Sequence, residues 1–524
     1  MAIKRVLFVV PPDGDEDSFN VETCRLGRYP NFPPYGIGIL ATKLRAMDIE
    51  VRILNLNNEI LGNFKAGGWG VPYFFTIRNC ITNTIDVFRP DIIGVTCMFS
   101  QTHRSLVDVC TQIRFAARVP IVVGGVHITN SLAEPATRAK FLASLPMVNH
   151  FFTHEADDSF IEAVKTSFAT SDNIVAGTQP TALNTIPAHD LITAPDLAAN
   201  GKIGSYHCFK PKGTKFSTII FNRGCRGSCT FCSVRNFNGV GVRGRSIQSV
   251  IDELLVLKND HGISHVVWLD DDFLYDKKAT LSLFNEIVKQ DVNITWDCTN
   301  GVIASSCTDE VIGAAAAAGC LGLHIGMESG NPDILRRIKK PGTVKTFLKA
   351  AEVLRRYETI NSRIFLMIGF PGETFSQVKD TYDVALEMNL DWCNITQLQA
   401  LPNTAIFEEV APAITSLSDI KFSAGAYGKH RKSAEANHNL MAADYKNVMQ
   451  DSTAIPTAAD QKLLWAYMNY NLNFERLYTV TSPVKLAQQL AYLNYIADEV
   501  APDDPIAQQF RTYLKTTLDK STIL

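Results

Sequence analysis

Cys225, Cys229 and Cys232 lie in the run Arg223-Gly-Cys-Arg-Gly-Ser-Cys-Thr-Phe-Cys. The C-x3-C-x2-C spacing places three thiols on one tight loop, with the aromatic Phe231 just before the last. Thiolate is the soft ligand that iron–sulfur clusters use. Three thiolates can hold three irons of a four-iron cluster and leave the fourth iron open to a small chelating molecule. The same loop could also contribute to a zinc site, but zinc asks for a fourth Cys or His nearby. The next histidine is His261, beyond an expected helix, so zinc is the weaker reading.

Three further runs carry candidate chemistry. Trp268-Leu-Asp-Asp-Asp-Phe-Leu-Tyr-Asp276 sets three successive carboxylates at a strand end, which is costly unless they meet a cation or donors. The amino group of a bound ligand would satisfy one of them, and a hydrated acidic loop is the plainer alternative. In Gly326-Met-Glu-Ser-Gly330, a carboxylate between glycines could accept hydrogen bonds from a ribose that approaches closely. Gly369-Phe-Pro-Gly-Glu-Thr374 reads as a rigid turn whose Thr374 caps the next helix, and it could also floor an adenine pocket. The other nine cysteines (Cys24, Cys80, Cys97, Cys110, Cys208, Cys298, Cys307, Cys320 and Cys393) are scattered and read as reduced, mostly buried thiols.

The elements that must position these runs follow from the rest of the chain. Its 524 residues exceed one core and suggest two or three domains. A net charge of -3 makes no electrostatic case for nucleic acid. No apolar stretch approaches a membrane span, and the run Val6–Val10 stops at Pro11-Pro12 as a buried strand would, so a cytoplasmic protein is expected. The N-terminal region, 1–175, alternates strands (Arg5–Val10, Glu50–Asn55, Ile92–Thr96, Pro120–Val123, His150–Thr153) with helices such as Gly36–Met47 and Gln101–Ala117. That is the pattern of an α/β, doubly wound, Rossmann-like sheet. It has no G-x-G-x-x-G after a first strand, which argues against a nicotinamide dinucleotide. Residues 176–215 read as a polar connector. Residues 216–410 give six βα units, with strands Phe216–Asn222, His265–Asp270, Asn293–Cys298, Gly322–Met327, Arg363–Ile368 and Trp392–Leu398. Such a partial (β/α)6 TIM-type barrel turns every strand's carboxyl end to one mouth, with the cysteine loop just after its first strand. From about Pro412, the region 411–524 reads as helical (Lys462–Asn473, Pro483–Asp498, Pro505–Leu518), and its aromatics Trp465, Tyr467, Tyr470, Phe474 and Tyr478 suit a core or a substrate pocket.

In that setting, about Phe216–Glu409 resembles the radical S-adenosylmethionine (radical SAM) superfamily. The cysteine loop matches its hallmark. Leu269-Asp-Asp-Asp-Phe273 resembles the second-strand motif that receives the SAM amino group, Gly326–Gly330 the ribose motif, and Ile368–Glu373 the fifth-strand motif. The resemblance implies a 4Fe-4S cluster on Cys225, Cys229 and Cys232, and S-adenosyl-L-methionine bound by Phe231, Asp270, Asp271, Asn300, Glu328, Ser329 and Gly369. It implies that SAM chelates the open iron, that one electron from the cluster breaks its C–S bond, and that the 5′-deoxyadenosyl radical takes hydrogen from a substrate. A flavodoxin- or ferredoxin-type reductant would supply the electron. The protein supplies orientation and a dry cavity.

The N-terminal region resembles the cobalamin-binding domain that precedes many radical SAM barrels. The matching runs are Pro33-Pro34-Tyr35-Gly36, Gly94-Val-Thr-Cys-Met-Phe-Ser100, Gly124-Gly125-Val-His127 and Glu155-Ala-Asp157. The resemblance implies cobalamin between the sheet edge and the barrel mouth, against Tyr35, Gly36, Thr96, Met98, Ser100, Gly124, Gly125, His127 and Glu155. The family's D-x-H-x-x-G motif is absent after the first strand, and His127 reads as a turn residue with a satisfied hydrogen bond rather than a cobalt ligand. The implied activity is a methyltransferase that moves methyl from methylcobalamin to an unactivated carbon of a small-molecule or lipid-like substrate. Alternatives are a radical cyclisation or rearrangement on the same architecture, a barrel with a vestigial cobalamin domain, and a non-catalytic sensor. Methylthiolation is a further relative, but it calls for extra cluster cysteines and a basic C-terminal module that this chain does not match.

Overall fold

A computed structural model describes residues 2–67, 71–169, 172–180, 182–194, 196–410, 448–500 and 502–521. The N-terminal sheet has six parallel strands: β1 (Arg5–Val10), β2 (Glu50–Asn55), β3 (Ile92–Thr96), β4 (Ile121–Gly124), β5 (His150–Thr153) and β6 (Ile174–Ala176), in the order β2-β1-β3-β4-β5-β6. Side chains alternate between its faces. Leu7, Val9, Ile93, Val95 and Val123 enter one core, and Val6, Phe8, Ile92 and Val122 enter the other. Helices therefore cover both faces, which is why the strands are almost continuously apolar. In this strand order the topological switch falls between β1 and β3, and ligands bind beyond the carboxyl ends there. The loop after β3 exposes Met98 (59%) and Phe99 (49%) at that place. A helix, Val126–Ala133, starts directly after β4. Gly125, at φ 122, makes this possible, because a Cβ there would collide with the Cys97 carbonyl. His127 thus lies in the first turn of a helix and not in a turn.

The second sheet is the partial barrel: β7 (Phe216–Ile219), β10 (His265–Trp268), β11 (Thr295–Val302), β12 (Cys320–Glu328), β13 (Asn361–Ile368) and β14 (Trp392–Gln397), all parallel, in the order β14-β13-β12-β11-β10-β7. Helices Ile247–His261, Lys277–Lys289, Asp309–Ala317, Val344–Arg355 and Phe375–Met388 fill the crossovers. They start on the side-chain caps Ser246, Asp276, Thr308, Thr343 and Thr374, each of which accepts a first-turn N–H. Several strand ends shift by one or two residues from expectation, and two boundaries differ by more. The first strand stops at Ile219, because Asn222–Arg223 (β8) instead pairs antiparallel with Arg243–Gly244 (β9) and brackets the cysteine loop. The third strand continues past Cys298 through a register shift, so Asn300 lies inside it.

The polar connector turns out to plug the barrel. Tyr206 is fully buried, its hydroxyl pairs with His324 Nδ1 at 3.2 Å, and its ring fills the space where a Cβ on Gly322 would sit. Arg363, from the start of β13, lies between the Tyr206 ring (4.4 Å) and the Tyr492 ring (4.5 Å).

Helices Ala458–Asn469, Pro483–Tyr495 and Pro505–Ser521 pack outside β14, and the Trp465 indole donates to the Ile395 carbonyl at 2.9 Å. The expected helix Lys462–Asn473 starts earlier, at a Thr457–Asp460 capping box, and passes into a π-turn at Tyr470–Phe474. Phe474 and Tyr478 pack on Phe510, so they belong to the helical core. The expected helical onset near Pro412 lies outside the described residues. No described helix is long and apolar enough to cross a membrane.

Candidate functional site

The cysteine loop leaves the barrel between β8 and the helix Val234–Asn238, and its three half-buried thiols form no disulfide. Two glycines shape it. Gly224, at φ 88, sits where a Cβ would collide with the Gly241 carbonyl. Gly227 lies between the first two thiols, and a Cβ there would stand 3.4 Å from Cys225 Sγ and 3.7 Å from Cys229 Sγ. Burial pushes all three thiols up, Cys232 to about 12, so a metal must supply the drive to deprotonate them. Among the described residues no three His, Cys, Asp or Glu side chains close on a single-ion position. Soft donors around a cradle kept free by glycine fit a four-iron cluster.

Ion pairs hold this loop on two sides. Arg226 grips Asp272 through Nε (2.6 Å) and Nη2 (2.9 Å), and its backbone N–H also donates to Asp272 (3.3 Å). Arg223 pairs with Glu155 (2.7 Å) and with both oxygens of Asp157 (2.9 Å each), and Arg243 pairs with Glu155. The loop is thus tied to the end of β10 and to the N-terminal sheet just after β5.

The three aspartates do different work. Asp270 is 1% exposed, and its carboxylate takes the backbone N–H groups of Phe221 (3.0 Å) and Asn222. It straps the entry to β8 to the end of β10 where an amino-group contact is expected. Burial raises it to about 8, against the pull of those two N–H donors. Asp272 is committed to Arg226. Asp271 is left half-buried, touching Asn238 Nδ2 at 3.2 Å, with its charge felt by Cys225 and Cys232. Burial, then Asp272, raises it to about 6.

Glu328 ends β12 at φ 68 and pairs with Lys340 Nζ at 2.9 Å. Gly326 makes room for that amine, since a Cβ there would lie 2.8 Å from Nζ. Burial opposes the Lys340 charge, but Glu328 and Cys229 outweigh it and raise the group. Lys340 was not anticipated from sequence; the only signal was the basic pair Lys339-Lys340 following the ribose-type motif. The arginines Arg223, Arg226 and Arg243 were likewise missed, although two of them flank Cys225 in the sequence.

The remaining SAM candidates divide between lining and frame. Asn300 is exposed and donates to the Leu269 carbonyl at 2.8 Å. Phe231 packs on Phe370 at 6.3 Å. Ser329 is fully buried and joins Thr381 (3.1 Å) and the Asn331 N–H (3.1 Å), so it is frame, not lining. Gly369, at φ 87, donates its N–H to Glu373 at 2.6 Å and lies against Gln461, whose Oε1 would be 2.8 Å from an added Cβ. Glu373 also receives the Phe370 N–H (3.2 Å), and burial raises it to about 7.

In the N-terminal sheet, Thr96, Met98, Ser100, Gly124 and Gly125 meet at one carboxyl edge. Gly36 is exposed, with open space around it. Tyr35 and Glu155 are corrections to the expected cobalamin set. Tyr35 is buried at the domain junction, donating to Glu253 (3.1 Å) and receiving Arg245 (3.0 Å), while Glu253 also meets His189 (2.9 Å). Glu155 is the arginine clamp. His127 is buried with both ring nitrogens bonded, so it offers no ligand to a cobalt ion. An open edge at the switch point, with small residues and the exposed apolar side chains Met98 and Phe99, fits the flat face of a corrin held without that histidine.

Comparison with known proteins agrees with this geometry. Residues 219–385 match the radical SAM superfamily model, and residues 28–139 match the B12 binding domain. The chain is 25% identical over 425 residues, 78% of this chain and 83% of the relative, to an uncharacterized methyltransferase of Pyrococcus horikoshii. It is 21% identical to the anaerobic magnesium-protoporphyrin IX monomethyl ester cyclase of Rubrivivax gelatinosus, over 68% of this chain and 66% of that one. Its fold matches that of the cobalamin-dependent S-adenosylmethionine radical enzyme OxsB, with a TM-score of 0.61, 15% identity, and coverage of 99% of this chain and 80% of that one. The radical SAM domain implies a 4Fe-4S cluster and SAM, and the B12 domain implies cobalamin. The chain is a radical SAM enzyme of the group that carries a B12-binding domain ahead of its barrel.

Proposed function

We propose that the chain is a cobalamin-dependent methyltransferase acting on an unactivated carbon of a small-molecule or lipid-like substrate. The observation that carries this reading is the Arg223–Glu155–Arg243 clamp with Asp157, which joins the cysteine loop to the corrin edge of the N-terminal sheet. Both cofactors then face one mouth. When bound, the cluster supplies an electron, SAM a hydrogen-abstracting radical and a methyl group, and cobalamin a methyl carrier. The chain's own residues do the rest. Asp271, Asn300 and Glu328 offer acceptors and a donor toward SAM, and Lys340 places a cation beside them. Tyr206 closes the barrel from its amino end, which keeps water from the radical chemistry. The division into 1–175, 176–215, 216–410 and 411–524 belongs to this reading, as do a flavodoxin- or ferredoxin-type electron donor and the cytoplasm, which suits cysteines that form no disulfide. The name of the Pyrococcus horikoshii relative supports methyl transfer.

The test is anaerobic reconstitution of the full chain with iron, sulfide and hydroxocobalamin, followed by an absorption spectrum. The expected result is both a cluster and a stoichiometric corrin. A cluster without corrin would overturn the methyltransferase reading. The cyclase relative gives a specific second reading, a radical cyclisation in the same architecture, in which S-adenosylhomocysteine is not a product.

A further inference from the structure

Behind the residues that line the corrin edge, the N-terminal domain holds a chain of polar contacts. His103 and His127 meet through Nδ1 and Nε2 at 2.9 Å. His127 Nδ1 faces the Ser100 hydroxyl at 2.9 Å and the Ser131 hydroxyl at 3.2 Å. At the far end, His103 Nε2 faces the Ser144 hydroxyl at 3.2 Å. Phe141 walls the pair, its ring 5.4 Å from His103 and 5.3 Å from His127.

The directions of the bonds from Ser144 to His127 follow from one fixed end. The Ser144 hydroxyl lies 2.6 Å from the Phe141 carbonyl, which can only accept, so Ser144 has donated its one proton there. Ser144 must then accept from His103 Nε2–H. Burial holds His103 down to about 4 and His127 down to about 3, so each ring carries a single proton at neutral pH. His103 Nδ1 is therefore an acceptor, and His127 Nε2–H donates to it. That leaves His127 Nδ1 as an acceptor shared by the two hydroxyls that face it, and Ser100, at 2.9 Å against 3.2 Å for Ser131, donates the shorter bond inward to it.

Ser100 is half-buried at the carboxyl end of β3, beside exposed Met98 and Phe99. With its proton pointed inward, it can show only oxygen lone pairs to a ligand. We infer that Ser144, His103 and His127 form a positioning relay that fixes Ser100 as a hydrogen-bond acceptor for an N–H or O–H donor of the bound corrinoid, such as a side-chain amide, and not for its phosphate. Ser100 is the binding residue, and the three others act through it. The inference rests on cobalamin binding by this domain.

Two measurements on the full chain test it. Nitrogen-15 NMR of histidine-labelled protein at neutral pH should show both rings neutral with the proton on Nε2, and added hydroxocobalamin should leave His127 Nδ1 an acceptor. A proton on His127 Nδ1, before or after addition, overturns the relay. Hydroxocobalamin titration should show Ser100→Ala weakened about tenfold, the scale of one lost hydrogen bond. Ser100→Thr should bind like the unmodified chain. His103→Leu should lose several-fold affinity and His103→Asn, whose Oδ1 replaces the Nδ1 acceptor, should regain it. Binding by Ser100→Ala as tight as by the unmodified chain overturns the proposal. An unmodified chain that takes up no hydroxocobalamin refutes cobalamin binding itself, and with it the Ser100 role, while the NMR result separately judges the bond directions.

Discussion

Lys340 brings a part-buried cation to Glu328 and to the thiol of Cys229, one of the three that would hold the cluster, and a SAM bound beside Glu328 would meet its charge. Lys340→Met keeps the length of the side chain and removes the charge. SAM binding measured by equilibrium dialysis is expected to weaken at least tenfold, with the iron content of the reconstituted protein unchanged; a loss of iron instead would make Lys340 a cluster residue. Glu373 gives a pH signature. Its pKa, raised from 4.5 to about 7, means the folded state holds a proton that the unfolded chain releases earlier. Its stabilising share is complete below about pH 4.5 and is lost as pH rises through about 7. Thermal melts of Glu373→Gln at pH 5 and pH 8 should show a smaller fall than the unmodified chain, the difference being on the order of 1–3 kcal/mol. At this scale the sequence showed which residue types gather, and it showed the cysteines outright. It did not show which of Asp270, Asp271 and Asp272 stays available, because successive side chains diverge and the nearest N–H groups and Arg226 decide. Nor did it show Lys340, whose partner lies twelve positions back, across the short helix Pro332–Arg337.

The elements were legible where periodicity and caps are local. Five strands of the first sheet and the six of the second follow their β-branched runs, the short edge strand β6 was not among the expected ones, and Thr374 caps the helix Phe375–Met388 as expected. The helix Val126–Ala133 was hidden behind Gly124-Gly125, since two glycines read as a loop until the close approach to Cys97 shows that Gly125 is what admits the helix. The plug formed by Tyr206 was hidden because it depends on contacts with β12 and β13, far along the chain. The clamp between β5 and the β8–β9 ribbon belongs to this scale. Glu155→Ala leaves Arg223 with Asp157 but leaves Arg243 with only the Asn238 carbonyl. Breaking a buried pair on one side costs about 3–5 kcal/mol. In a double-mutant cycle read by denaturant unfolding, Glu155→Ala with Arg243→Ala should cost clearly less than the sum of the single changes. Additive costs would show that the pair is not coupled and that something else joins the two sheets.

For the whole molecule, one sheet that suits a corrin and one barrel that suits SAM are locked edge to mouth by charges on the cysteine loop itself. Loading one site should therefore be felt at the other: the Arg223 that holds the sheet is two residues from Cys225. In a cobalamin-dependent methyltransferase this shared mouth would serve both uses of SAM, radical formation and methyl supply. The most direct measurement is the pair of products formed from SAM by the anaerobically reconstituted, chemically reduced chain. The expected products are 5′-deoxyadenosine and S-adenosylhomocysteine, the second lost when hydroxocobalamin is left out and the first lost from each of Cys225→Ala, Cys229→Ala and Cys232→Ala. 5′-Deoxyadenosine without any corrin-dependent S-adenosylhomocysteine would rule out methyl transfer through the corrin.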